Sequence, residues 1–221
     1  MDSVEDILNR HDTDKNSTYH NYSRQYNDLF EKYRQLEINF LEIGIFGGGS
    51  LPAWREIFPK AKRIVGADIL PECKQYEDLD NDIHVVISDA TTPEFAQSIG
   101  SYDVIIDDGS HTNKDVINSF ENLFPLLRDN GLYIVEDSNC YKNYPHNDNK
   151  MPNHLQYFVN FVPFLNQSRI DSHEGEQDHC ADPWKILKKT DNVFEYSIDK
   201  IQFGCSFIAI HKKVKEHWIK G

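Results

Sequence analysis

The chain has 221 residues, enough for one α/β domain with a few appendages around a single sizeable core. Its 23 basic and 36 acidic side chains leave a formal net charge of -13, which would repel a phosphate backbone and argues against a nucleic-acid partner. Four scattered cysteines with no C-x-x-C exclude a zinc knuckle or redox pair, and no apolar run is long enough for a secretion signal or a membrane span, so a cytoplasmic protein is expected.

Residues 1–37 are rich in Tyr and charge and read as helix plus loop. They form a separate N-terminal segment, which either packs as a helix on the sheet or closes over a pocket as a lid. From residue 38 to 221 a second unit follows. "NFLEIGIF" (39–46), "RIVGADIL" (63–70), "HVVISDA" (84–90), "YDVIIDD" (102–108) and "GLYIVED" (131–137) read as strands, their near-continuous Ile, Val, Leu and Phe suiting strands covered on both faces. Between them, 50–58, 92–100 and 115–131 read as helices, the last stopping on Gly131. Strand–helix alternation predicts a Rossmann-like, doubly wound, mostly parallel sheet. Further on, "HLQYFVNFVPFLNQ" (154–167) reads as a helix, and 192–199 and 204–213 as an antiparallel hairpin added at the sheet edge. No internal repeat or low-complexity segment is present.

"FLEIGIFGGGSL" places Gly44, Gly47, Gly48 and Gly49 between the first strand and the next helix, where glycines let the backbone turn sharply and approach a ligand. The spacing is not G-x-G-x-x-G, because Phe46 replaces the second glycine, so a pyrophosphate is poorly supported. Glu42, just before the turn, suits a cationic ligand better than a phosphate. Asp68 ends strand two, where a carboxylate takes ribose hydroxyls, and Asp89 ends strand three, placed for an adenine edge. Acids at three consecutive strand ends suit S-adenosylmethionine, which carries a sulfonium and an ammonium but no phosphate. The expected donor-binding set is Glu42, Gly44, Gly47, Gly48, Ser50, Asp68, Asp89, Ala90 and Asp107.

Strands four and five should be neighbours, so Asp108 at one end and Glu136 and Asp137 at the other converge. Unpaired, three carboxylates would repel one another and at least one would resist ionisation. A hard divalent cation, Mg²⁺ or Mn²⁺, removes that conflict. Because Glu136 and Asp137 are adjacent, a regular strand would point them to opposite faces, so the strand must end or bend there. His111, three residues beyond Asp108, is placed to reach a substrate hydroxyl at the metal and is the candidate general base. The alternative is that Asp108 or Ser110 caps the next helix and His111 is a surface residue of its first turn. His20 and Tyr22 in the N-terminal segment, and Tyr141 and Tyr144 after strand five, are candidate substrate contacts. The polar run "HEGEQDHC" (173–180) reads as a solvated loop.

"LEIGIFGGGSL", "GADI", "VIIDDGSH" and "GLYIVED", with the N-terminal "DTDKNSTYHNYSRQY", resemble class I S-adenosylmethionine-dependent sugar O-methyltransferases of the macrocin and mycinamicin group, and are similar to the rhamnosyl O-methyltransferase group. The resemblance covers residues 12 to about 145. It implies a class I methyltransferase domain over 38–221, Asp108, Glu136 and Asp137 on the metal, His111 as base, and Glu42, Asp68 and Asp89 at the donor. It further implies a carbohydrate acceptor of the rhamnose-like deoxyhexose type, and because a cation held by carboxylates leaves adjacent positions that two neighbouring hydroxyls could fill, an acceptor with a vicinal diol is expected. Rival readings are a catechol or phenol O-methyltransferase, a nucleotide-sugar oxidoreductase or epimerase, and a non-catalytic binding module on the same fold. Asp-Asn at strand five with a lysine base would mark the first, and the interrupted glycine loop argues against the second.

Overall fold

Five apolar runs become five parallel strands in the structure, a computed structural model that describes residues 1–141, 153–165 and 192–214. They are β1 (Asn39–Ile43), β2 (Arg63–Asp68), β3 (Ile83–Ile87), β4 (Tyr102–Asp107) and β5 (Leu127–Glu136). With β6 (Ile198–Gly204) and β7 (Phe207–Lys212) they make a seven-stranded sheet in the order β3-β2-β1-β4-β5-β7-β6. β7 runs antiparallel to both β5 and β6, so the added hairpin is inserted with its second strand inward. This is the class I methyltransferase fold. The chain runs outward from β1 toward β3 on one side and from β4 toward β5 on the other. The order reverses between β1 and β4, and a crevice opens at their C-terminal ends.

Each face of the sheet has its own core. On one, α1 (Val4–Arg10), α2 (Ser23–Phe30) and α3 (Ser50–Ile57) bring Leu8, Tyr26, Phe30 and Trp54 against Phe40 and Ile106. Tyr26 stacks on Phe30 at 4.6 Å and meets Trp54 edge-on at 5.3 Å. Burying each such ring stabilises the fold by about 1.5–3 kcal/mol over leaving it exposed. The N-terminal residues therefore belong to the main core, and only the stretch between α1 and α2 reaches over the strand ends. On the other face, α4 (Pro93–Ser98), α5 (Asn113–Leu123) and α6 (His154–Val159) cover Leu41, Ile105 and Tyr133.

Three sequence expectations shift. The helix expected over 115–131 begins two residues earlier, capped by Thr112, whose hydroxyl accepts from Asp115 N. It stops at Leu123 because Pro125 cannot continue it, and a 3₁₀ turn (Phe124–Leu126) leads straight into β5, so Gly131 lies inside a strand rather than at a helix end. The helix expected over 154–167 breaks at Asn160 into α6 and α7 (Val162–Leu165), with its last two residues outside the described range. The run 192–199 is chiefly α8 (Val193–Ser197), because Asn192 caps it by accepting from Phe194 N, and β6 starts only at Ile198. Among the described residues no helix is long and apolar enough to cross a membrane.

Candidate active site

The crevice at the ends of β1 to β4 is a cleft of about 790 Å³. Its floor is the turn after β1. Gly44 has φ +79°, and a Cβ there would sit 2.1 Å from the Asp108 carbonyl oxygen, so only glycine allows this approach of β1 to β4. Gly49 is crowded from the other side, its would-be Cβ 1.6 Å from the Asp12 carbonyl. Phe46, in the place of a fingerprint glycine, has φ +38° and stands 81% exposed at the cleft.

Asp68 holds this turn. Its Oδ2 accepts from Ile45 N and Phe46 N at 3.0 Å each, and Oδ1 accepts from Leu70 N at 2.9 Å. Asp89 is exposed at the cleft wall and accepts from Thr91 N and Thr91 Oγ1. Asp107 is buried but lines the cleft, with Tyr133 Oη donating to Oδ2 at 3.0 Å and Gly109 N to Oδ1 at 3.3 Å. Burial pushes its carboxyl up to about 7. Gly44, Gly47, Gly48, Ser50 and Ala90 line the same space. Glu42 does not. It is fully buried beneath the turn, where Ser50 Oγ donates to it at 2.6 Å and the ammonium of Lys15 lies 3.6 Å away. A cationic neighbour for Glu42 is therefore present, but it is a side chain of this chain.

At the other end of the cleft, Asp108, His111 and Asp137 each offer a ligand atom, all within 4.8 Å of one another. His111 Nε2 is 3.9 Å from Asp108 Oδ1 and 3.7 Å from Asp137 Oδ2. His111 stands just ahead of the α5 cap with φ +56°, so neither Asp108 nor Ser110 is the capping residue. The bend required after strand five is present, since Asp137 has φ +47° and turns its carboxylate to the cleft. Glu136 stays behind, inward of the cleft wall. Lys15 Nζ donates to Glu136 Oε2 at 3.0 Å and to Asp108 Oδ2 at 2.5 Å. Glu136 Oε1 is buried with no hydrogen-bond partner among the described residues. Burial drives the Glu42 and Glu136 carboxyls up to about 7, against the pull of Lys15. Asp108 and Asp137, facing the cleft together with the His111 ring beside them, fit a hard divalent cation, while Glu136 is paired with Lys15 and does not line the cleft.

His20 and Tyr22 are brought to this cluster, but Tyr22 is only 1% exposed and its hydroxyl is bound to Asp137, so it is not free for a substrate. His20 stacks on Tyr22 at 5.5 Å, with Nδ1 3.4 Å from Asp137 Oδ1. Tyr141 ends a 3₁₀ turn (Ser138–Tyr141), and Tyr144 and the 173–180 loop lie outside the described residues. Lys15 went unassigned in the sequence; the sole signal was a lysine flanked by acids in "DTDKN" ahead of the first strand.

Residues 41–138 match the family described as "Methyltransferase domain". The chain is 37% identical over 145 residues to demethylmacrocin O-methyltransferase of Streptomyces fradiae, covering 61% of this chain and 36% of that protein. It is 35% identical over 139 residues to 8-demethyl-8-alpha-L-rhamnosyl tetracenomycin-C 2'-O-methyltransferase of Streptomyces olivaceus, covering 58% and 35%. Mycinamicin VI 2''-O-methyltransferase of Micromonospora griseorubida is 36% identical over 145 residues, covering 61% and 35%. Each match thus spans little more than a third of the relative's length. Among solved structures, the MycE methyltransferase of the mycinamycin pathway, in complex with Mg and SAH, superposes with a TM-score of 0.79 at 25% identity, covering 96% of this chain and 55% of that one. A second MycE structure, holding Mg, SAH and mycinamycin VI, gives 0.78. The resemblance to the macrocin and mycinamicin sugar O-methyltransferases is therefore shown.

Proposed function

We propose that this chain is a metal-dependent O-methyltransferase that moves a methyl group from S-adenosylmethionine to a sugar hydroxyl, on an acceptor with a vicinal diol such as a rhamnose-like deoxyhexose in a glycan or glycoconjugate. The observation that carries this reading is the meeting of Asp108, His111 and Asp137 on the wall of the same cleft that the glycine turn and Asp68 floor. Support comes from the relatives, all O-methyltransferases and one of them named for a rhamnosyl compound, and from the MycE structures with Mg and SAH. The four scattered cysteines and acidic charge are the support for a cytoplasmic setting.

When bound, the donor supplies an electrophilic methyl group and the cation supplies Lewis-acid stabilisation of negative charge developing on the acceptor oxygen. Asp68 and Asp89 would hold the nucleoside, with Gly44, Gly47 and Gly48 giving the donor close access to backbone. Asp108 and Asp137 would hold the cation, with Glu136 neutralised by Lys15 beside them. His111 would accept the hydroxyl proton of the acceptor as its oxygen is methylated, the bound donor being released as the neutral thioether. A sugar hydroxyl is hardly ionised at neutral pH, so a base and a cation acting together are what the chemistry requires.

The test is methyl transfer to matched rhamnosides with and without the neighbouring hydroxyl, with and without chelator. Turnover should need the diol, vanish with chelator and return with Mg²⁺ or Mn²⁺. His111→Ala should lower kcat by about 10²–10⁴-fold while leaving donor affinity unchanged. Full activity in excess chelator, or in His111→Ala, would overturn the reading.

A further inference from the structure

The stretch between α1 and α2, residues 11–22, lies outside the matched methyltransferase domain yet touches both ends of the site. Asp12 packs its carbonyl on Gly49, and Lys15 reaches Asp108 and Glu136. At its far end Tyr22 is fixed on three sides, stacked with His20 at 5.5 Å and in ring contact with Tyr26 at 6.1 Å and Phe207 at 5.7 Å. Its hydroxyl lies 2.6 Å from Asp137 Oδ1 and 3.3 Å from the Ser206 carbonyl. A phenol has one proton, and the shorter, charge-assisted partner takes it. The same oxygen accepts from Asp137 N at 3.2 Å. Tyr22 thus grips Asp137 by backbone and carboxylate at once, at the residue whose φ of +47° ends the strand. That backbone conformation is uncommon for a non-glycine residue and persists only where its surroundings impose it. With Oδ1 held by Tyr22, Oδ2 is the oxygen turned toward His111.

We propose that Tyr22 is a positioning residue of the metal centre, which fixes the Asp137 backbone and carboxylate so that Oδ2 is presented to the cation. The inference rests on the metal-dependent reading above and adds a residue to it. Tyr22→Phe keeps the ring contacts and removes the hydroxyl. The probe is Mn²⁺ alone, titrated into the full chain and followed by calorimetry and by the electron paramagnetic resonance of free Mn²⁺. Tyr22→Phe should raise the Mn²⁺ Kd by about 10–100-fold, the usual effect of losing a group that orients a ligand, and raise the Mg²⁺ concentration for half-maximal methyl transfer in step. Donor affinity, read separately, should stay as in wild type. In an Asp137→Asn background the same substitution should lose most of its effect, because the carboxylate it orients is gone. An unchanged Mn²⁺ Kd would overturn the proposal, as would an equal loss in both backgrounds or a parallel loss of donor affinity. Wild-type protein that binds no Mn²⁺ would remove the metal reading and this proposal with it. Wild-type binding with an indifferent Tyr22→Phe would remove the proposal alone.

Discussion

Lys15 enters the site from a loop 93 residues before Asp108 and is 2% exposed, with its ammonium among four carboxylates. Burial works against its charge, but Asp108, Glu136, Glu42 and Asp14 outweigh that and hold its pKa well above the ordinary lysine value. Without it, Glu42 and Glu136 would be buried acids with no cation between them. Lys15→Met should therefore destabilise the fold by about 3–5 kcal/mol, the cost of breaking a buried ion pair by removing one partner. Urea unfolding at neutral pH measures this, and adding Glu136→Gln should recover part of the loss. A Lys15→Met protein as stable as wild type would show that the cluster does not need its cation. This residue was hidden in the sequence because its partners come from β1, β4 and β5, and nothing local to "DTDKN" marks a buried lysine. That Asp108 and Asp137 meet near His111 was legible because a parallel sheet brings strand ends to one edge by rule, whereas Glu136, expected in the same group, is paired with Lys15 instead. Glu42 was legible as a partner for positive charge, but not the fact that the charge belongs to Lys15.

At the scale of elements, β-strands were read more accurately than helix ends. Runs such as "YDVIIDD" have one interpretation when both faces are covered, and β4 spans all but the last residue of that run, as Tyr102–Asp107. Gly131 misled because a glycine after an apolar periodic run signals a helix stop, while Pro125 had already ended the helix and Asn130, at φ +61°, supplied the left-handed residue. The run at 192–199 misled because Val, Phe and Tyr favour strands, whereas the Asn192 cap decided the local outcome. The hairpin itself carries a pH dependence. His211 on β7 lies opposite Lys200 of β6, with Nε2 2.7 Å from Gln202 Oε1. Burial, then Lys200 and Lys32, push its pKa down to about 4 from 6.5. The unfolded chain therefore takes up a proton first as the pH falls, so the stability present above about 6.5 is lost as the pH drops through 4. After allowance for solvent screening this is on the order of 1–2 kcal/mol. Unfolding free energies at pH 7.5 and 4.5 for wild type and His211→Gln check it. The variant should show a shallower drop, and an identical drop would clear His211.

For the whole molecule, the cleft draws its walls from both sides of the order reversal and from the strap between α1 and α2, so its occupancy is coupled to folding of the full sheet. A ligand that binds only the folded state adds RT ln(1 + [L]/Kd) to the unfolding free energy, about 2.7 kcal/mol at a hundredfold excess over Kd. S-adenosylhomocysteine, which keeps the nucleoside and amino-acid parts of the donor, should therefore raise the thermal midpoint in a concentration-dependent way, with Asp68→Asn blunting the rise. Mg²⁺ should give its own increment, reduced by Asp108→Asn, because the two ligands use opposite ends of the cleft. NAD⁺ is the counter-probe. Its pyrophosphate would lie against a turn where Phe46 replaces the fingerprint glycine and where Glu42 and Asp68 stand close by, and among the described residues Lys15 is the sole lysine or arginine lining this cleft, its charge already taken by carboxylates. A thermal scan with the three compounds thus separates the readings. A rise with S-adenosylhomocysteine and Mg²⁺ but not with NAD⁺ is expected of a methyltransferase cleft. A rise with NAD⁺ alone would instead assign the same fold to hydride chemistry.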